Sequence, residues 1–295
     1  LKLFLSVVNV IFGPLTAQQP SMVNLLLVLI FVAQRSLMRL IDPKAIVDVN
    51  ANIADDVKIG AFSIIGADVI IESGTVIGPH VVMKGPVTIG QDNHIYQFTS
   101  IGEDPQDKKY ADEKTRLVIG NRNVIREFAT MHRGTLQDQG LTRIGNDNLF
   151  MAYTHVAHDC VIGDNVIMAN GASLAGHVHL CNNAILGGFT LVHQFSQIGT
   201  FSFAAMGSAI TQDVPPYVMV GGRPTRPHGI NSVGMERAGS SPEATKLIRK
   251  AYKILYKSNL RMEDAIEEME DLAGDCDEIS NMVSFLRNVT RGILR

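Results

Sequence analysis

Apolar residues recur along this chain with a six-residue beat. Counting from Ile53, the sixth residues are Ile59, Ile65, Ile71, Ile77, Met83, Ile89, Ile95 and Ile101. Counting from Ile144 they are Phe150, Val156, Ile162, Met168, Leu174, Leu180, Leu186, Val192, Ile198, Ala204 and Ile210. Each of these positions is apolar in a chain that is 46% apolar, so composition does not produce the pattern. A helix would repeat about every 3.6 residues and a half-buried strand every two. A fixed period of six predicts a β-helix of hexapeptide repeats. One hexad is too short to bury its own apolar side, so the hexads must stack into a single column of aliphatic side chains. The slot two before each anchor is short or polar (Val57, Ser63, Val69, Thr75, then Thr154, Cys160, Val166, Ala172), which suits a tight inside corner. Gly, Asp and Asn cluster just after the anchors, as in Ile59-Gly60, Ile77-Gly78 and Ile162-Gly163-Asp164-Asn165. They predict turns with unusual backbone angles there.

The beat breaks twice. Glu103-Asp104-Pro105-Gln106-Asp107-Lys108-Lys109-Tyr110 is charged and aperiodic, and Arg133-Gly134-Thr135-Leu136-Gln137-Asp138-Gln139-Gly140 shifts the phase by one residue. Insertions in a solenoid leave it as surface loops, often on the binding face. The repeat ends at the paired prolines of Val214-Pro215-Pro216-Tyr217. Ser241-Pro242-Glu243 then reads as a helix start. Further helices are expected from Met262 to Ala273 and from about Asp277 to Leu294. The organisation expected is therefore an apolar extension over 1–37, a β-helix over 38–229 and a small helical domain over 230–295. The apolar runs in 1–37 fall short of the roughly 20 residues that span a bilayer. A signal peptide is a competing reading, but Met38 directly before the ordered segment reads as the start of the protein, with 1–37 as loosely structured upstream sequence.

Net charge is −3, from 26 basic and 29 acidic residues, and calls for no nucleic acid. Cys160, Cys181 and Cys276 lie far apart without metal-ligand spacing, which fits a reducing, cytoplasmic compartment and no disulfide framework. The residues suited to chemistry are histidines: His155, His158, His177, His179 and His193 crowd into one part of the repeat. Taken singly, each also fits a plain surface histidine.

The hexads resemble the left-handed β-helix of the hexapeptide acyltransferases, in which three hexads make one triangular coil. Handedness comes from that resemblance; the usual preference for right-handed crossovers points the other way. In such coils His158 lies below Gly176, and Gly176 below Gln194, on strands about 4.8 Å apart. His155, His177 and His193 fall nearby. A base and a backbone N–H on one edge suit acyl transfer, one deprotonating a hydroxyl and the other holding an oxyanion.

Several separated motifs then resemble the acyl-[acyl-carrier-protein]–UDP-N-acetylglucosamine O-acyltransferases, from Met38 to Arg295. They are Tyr153-Thr154-His155-Val156-Ala157-His158-Asp159-Cys160, Leu174-Ala175-Gly176-His177-Val178, Val192-His193-Gln194-Phe195 and Gln212-Asp213-Val214-Pro215-Pro216-Tyr217. Ile95-Tyr96-Gln97-Phe98-Thr99-Ser100-Ile101-Gly102, Met131-His132-Arg133-Gly134-Thr135 and the ending Thr290-Arg291-Gly292-Ile293-Leu294-Arg295 fit as well. The resemblance implies transfer of a (R)-3-hydroxyacyl group from acyl carrier protein to the glucosamine 3-hydroxyl, the first step of lipid A synthesis. It implies His158 as general base, Asp159 as its orienting partner and the Gly176 N–H as oxyanion donor. Gln106, Asp107 and Lys109 would meet the nucleotide sugar. His155, His177, His193 and Gln194 would bind sugar, phosphates or thioester arm, Asn170 the pantetheine-linked acyl group, and Asn231 and Arg237 the UDP. It implies no cofactor beyond the carrier protein's phosphopantetheine, no metal, and a homotrimer with sites between subunits, to which His132 would contribute across a boundary. The acidic carrier protein would meet Arg249, Lys250, Lys253 and Lys257.

Three positions depart from the family pattern. Val233 replaces an acidic nucleotide contact, Ala238 the second Arg of a pair, and Met206 a Gly at the floor of the acyl groove. A methionine there shortens the groove, each lost CH₂ being worth about 0.8 kcal/mol, and predicts a chain near 3-hydroxydecanoyl. Met206 as core filler is the plain alternative. Rival readings are a related sugar N-acyl- or O-acetyltransferase, a zinc-dependent hexapeptide hydratase with histidine ligands, and a β-helical scaffold without activity.

Overall fold

The computed structural model describes residues 40–274 and 276–295. The apolar stretch 1–37 and Met38 lie outside them. From Ile46 the chain winds as a left-handed parallel β-helix whose short strands fall on three faces in strict rotation. The first face has nine strands, from Ile46–Val47 to Ala209–Ile210; the second has eight, from Asn52–Ile53 to Gln197–Ile198. The third has ten, the last pair (Val218–Gly221 and Arg226–Ile230) being antiparallel and closing the prism. Register follows the coil: Ile46 pairs with Ile64, and His155 with Ser173, eighteen residues on. The two insertions lengthen single coils, so that Ser100 pairs with Thr130 and Thr130 with His155.

The anchors point inward and are almost wholly buried, with Ile89, Ile95, Ile125, Met131, Phe150 and Val156 at 0% exposure. Each side chain of this size contributes about 1.5–3 kcal/mol by leaving water. The slot two before the anchor packs inside the corners: Ser63 and Thr75 are buried, and their hydroxyls donate to the carbonyls of Gly78 and Gly90.

The turn residues work differently from the sequence expectation. Apart from Gly102, the glycine after the anchor does not adopt positive φ; the third residue after the anchor does, and is usually Asp, Asn, Phe or Tyr (Phe62, Asp147, Tyr153, Asp159, Asn165, Asn183). Glycine follows the anchor because coils approach closely there. A Cβ on Gly60 would lie 2.5 Å from Pro79 N of the next coil. Left-handed turns stack the third-position rings of Phe62, His80, Phe98, Phe128 and Tyr153 into an exposed ladder along the corner between the third and first faces.

Four helices follow: α1 (Ser232–Arg237), α2 (Pro242–Lys257), α3 (Met262–Ala273) and α4 (Asp277–Arg287). Ser241 caps α2 by accepting from Ala244 N at 3.0 Å. The short α1 was not foreseen. The last helix ends at Arg287, short of the expected Leu294, because Gly292 turns at φ +74° and the tail joins the coil. Asp213 N donates to Gly292 O and Leu294 N to Asp213 O, both at 3.0 Å, which buries Ile293 and Leu294. Among the described residues no helix is long and apolar enough to cross a membrane.

Candidate active site

The corner between the first and second faces stacks residues 158–159, 176–177 and 194–195 on successive rungs. His177 N donates to His158 O at 3.0 Å, and Phe195 N to Gly176 O at 3.1 Å. The His158 ring stands directly under Gly176: a Cβ there would meet Cε1, Nε2 and Nδ1 at 2.5, 2.7 and 3.0 Å. Only glycine lets the imidazole keep that position. Among the described residues the Gly176 N–H bonds to no protein acceptor, so it is available beside the ring.

Sequence neighbours in a strand point to opposite faces, yet His158 and Asp159 meet. Both lie in the turn, and Asp159 has φ +59°. That folds its carboxylate back, so Oδ2 lies 2.9 Å from His158 Nδ1. Asp159 is 2% exposed. Its Oδ1 accepts from Thr135 N (2.8 Å), its Oδ2 accepts from Thr135 Oγ1 (2.7 Å), and its N–H donates to Thr142 Oγ1 (2.8 Å). Burial opposes its charge, but the hydrogen bonds from His158 and Thr135 prevail and hold the carboxyl below the usual range. An ionised Asp159 fixes the Nδ1–H tautomer of His158 and leaves Nε2 with its lone pair.

The second insertion builds this support. Its Thr135 holds Asp159, and its Asp138 carboxylate lies 3.0 Å from His177 Nδ1. His177 in turn stacks on Phe195 at 4.4 Å and meets His158 edge-on. The first insertion is fastened to the same region. Arg133, 5% exposed, reaches back to Gly85 O and to Asp104, and its Nη2 donates to Tyr110 Oη at 3.0 Å. Lys84 also donates to Asp104, at 2.6 Å. Gln106 and Lys109 are exposed on that loop and Asp107 is half-buried, its Oδ1 accepting from Lys109 N at 2.9 Å.

His155 sits on the first face, three residues before the corner, with Nδ1 2.7 Å from Thr130 Oγ1. Burial, then the neighbouring His132 and His158, push its pKa down to about 4. His132 is expected at a subunit boundary, but it is 4% exposed within its own chain, edge-on to His155, with its pKa lowered chiefly by burial. Gln194 and His193 are exposed on the next rung.

Other expected residues lie elsewhere in the single chain. Asn170 and Met206 occupy the corner between the third and first faces, on either side of Gly188. Met206 is 78% exposed, so it is no core filler; the next residue, Gly207, lines a hollow of ≈ 510 Å³ with Phe189, Leu191, Ala209, Pro224 and Arg223. Asn231 is buried and spent on structure: Nδ2 donates to Phe201 O at 2.9 Å, and Oδ1 caps α1 by accepting from Gly234 N at 3.0 Å. Arg237 is exposed at the end of α1, and Arg249, Lys250, Lys253 and Lys257 are exposed on α2. His179 faces away from the corner, into a separate hollow with Cys181, Asn281 and Phe285 against α4. Cys160 is buried packing, its thiol pushed up to about 12 by burial.

Sequence reasoning missed Thr135, Thr142 and Asp138. The phase shift of the second insertion was the available signal, since only a loop that leaves and re-enters beside Asp159 can supply donors to it.

Comparison with known proteins gives one answer. Residues 213–294 match the family model for the second domain of UDP-N-acetylglucosamine O-acyltransferase, and residues 50–85 and 141–176 match the bacterial transferase hexapeptide model. The acyl-[acyl-carrier-protein]–UDP-N-acetylglucosamine O-acyltransferase of Stutzerimonas stutzeri is 52% identical over 258 residues, covering 88% of this chain and 100% of that protein. The protein of the same description from Thiobacillus denitrificans is 51% identical over the same shares. The solved structure of LpxA from Acinetobacter baumannii superposes with a TM-score of 0.85 at 46% identity, covering 87% of this chain and all of that one.

Proposed function

The chain belongs to the acyl-[acyl-carrier-protein]–UDP-N-acetylglucosamine O-acyltransferase family, and on that premise we propose how its own side chains carry the transfer. It moves an acyl group from acyl carrier protein to UDP-N-acetylglucosamine, the reaction that opens lipid A synthesis. The acyl group is a (R)-3-hydroxyacyl chain and the acceptor is the glucosamine 3-hydroxyl.

His158 Nε2 takes the hydroxyl proton as the oxygen attacks the thioester carbonyl. Asp159, accepting from Nδ1, stabilises the imidazolium that forms. The Gly176 N–H donates to the oxyanion of the tetrahedral intermediate. Collapse breaks the carbon–sulfur bond, and the departing thiolate takes the proton back from His158. A base and its orienting carboxylate contribute about 10²–10⁴-fold, and an oxyanion donor about 10²–10³-fold. The observation that carries this reading is the His158 ring held between an ionised Asp159 and an amide without an acceptor, all on one corner.

Asp107, Lys109 and Gln106 meet the nucleotide sugar, and His155, His177, His193 and Gln194 line its path or that of the thioester arm. Asn170, Met206 and Arg237 lie off the His158 corner, which supports a homotrimer whose sites take residues from two chains. Asn231, which also caps α1, and Arg237 hold the UDP portion. The basic side of α2 receives the acidic carrier protein. The compartment is the cytoplasm, where acyl carrier protein is found. No cofactor beyond the carrier's arm is called for.

Met206, exposed and next in sequence to a residue that lines a mostly apolar hollow, shortens the acyl groove. Mass spectrometry of products made from UDP-N-acetylglucosamine and a panel of 3-hydroxyacyl carrier proteins should give chiefly the 3-hydroxydecanoyl ester. Met206→Gly should shift the preference to longer chains. No gain of longer-chain activity would overturn the groove assignment.

A further inference from the structure

The two ring nitrogens and the carboxylate at the His158 corner are arranged for more than proton transfer. His158 Nδ1 lies 2.9 Å and His177 Nε2 3.7 Å from the same atom, Asp159 Oδ2. All three ligand atoms lie within 4.8 Å of one another, and they form the one such group of His, Cys, Asp and Glu among the described residues. Asp138 lies 3.0 Å from His177 Nδ1 and Asp159 3.7 Å from its Nε2, so a carboxylate stands at each ring nitrogen. Tetrahedral ligands on zinc, with bonds of about 2.0–2.2 Å, are separated by roughly 3.4 Å. The two separations from Asp159 Oδ2, 2.9 and 3.7 Å, fall on either side of that value. The Asp138 carboxylate behind His177 supplies the outer hydrogen bond that metal-bound histidines nearly always have.

We propose that a late divalent transition metal such as Zn²⁺ binds His158 Nδ1, Asp159 Oδ2 and His177 Nε2, and that it switches the acyltransferase off. The inhibitory half rests on His158 being the base. Metal on Nδ1 displaces the proton donated to Asp159, and the ring keeps one proton by taking it up on Nε2. The lone pair that would accept the sugar proton is thereby consumed. Water completes the coordination.

Calorimetric titration of the chelator-stripped enzyme with Zn²⁺ tests the site, with activity measured in parallel. The expected result is one saturable ion per chain and inhibition that tracks occupancy. His177→Ala should abolish that binding. Asp138→Asn, an exposed loop substitution that leaves all three ligands in place, should weaken it about 10- to 100-fold. No saturable ion, or binding unchanged in both variants, overturns the metal site while leaving the base reading to stand on His158→Ala. Stoichiometric binding without inhibition overturns the switch, and if His158→Ala is then also fully active, the base reading has failed and the metal site alone survives.

Discussion

Two corners of the same prism share one backbone and differ in what they leave unfinished. Between the second and third faces, four successive turn amides are each capped by a side chain of the neighbouring coil. Gln91 N donates to Asn121 Oδ1 (2.7 Å), Asn121 N to Asn146 Oδ1 (2.8 Å), Asn146 N to Asp164 Oδ1 (2.6 Å) and Asp164 N to Asn182 Oδ1 (2.9 Å). Between the first and second faces the equivalent places hold His158, Gly176 and Gln194, and among the described residues nothing caps the Gly176 amide. Both corners use positive φ at the next residue, Asp147 and Asn165 at one, Asp159 and His177 at the other. The turn geometry is therefore not what makes a site. What does is the withdrawal of the amide ladder, which frees a backbone donor, together with a carboxylate turned inward on an imidazole.

The difference can be broken from either side. His158→Ala should remove the base without touching the column of anchors, lowering kcat by about 10²–10⁴ with an unchanged circular dichroism spectrum. Retained activity would reduce the corner to scaffold. Gly176→Ala keeps the amide but drives a methyl group into the imidazole. A misplacement of about 1 Å can cost 10²-fold, so a loss of that order in kcat is expected, with a crystal structure showing the ring displaced.

The pH dependence of stability should next separate the face leading into the histidine corner from the asparagine corner. His155 is held neutral in the fold, with its pKa near 4, against about 6.5 when unfolded. The unfolded chain therefore takes up the proton first as pH falls. Stability should drop between about pH 6.5 and 4 and level off below that, by at most about 3 kcal/mol from this ring. His132, also lowered, acts in the same direction. Urea unfolding of wild type and His155→Asn across that window measures the contribution; parallel curves would contradict it. The asparagine corner has no histidine, so Asn146→Ala should be insensitive to this pH range. It removes two hydrogen bonds and should cost about 1–2 kcal/mol while leaving kcat intact.

The fold was legible because the anchors obey one period and the solenoid adds no long-range surprise to it. The His158–Gly176 stacking followed from counting coils. The Asp159 contact did not follow from strand alternation, since a left-handed turn residue reverses the direction a strand would impose. Thr135 and Asp138 were hidden because an aperiodic insertion carries no register of its own. Asn231 adds a structural role that its sequence position did not announce, bonding to Phe201 and capping α1. The end of α4 escaped because the tail's pairing with Asp213 is a tertiary event.

The most direct measurement is a crystal structure with UDP-N-acetylglucosamine bound. The account predicts the glucosamine 3-hydroxyl within about 2.6–3.2 Å of His158 Nε2, with Asp159 still on Nδ1. A sugar bound at another corner, with its 3-hydroxyl out of reach of that nitrogen, would contradict it.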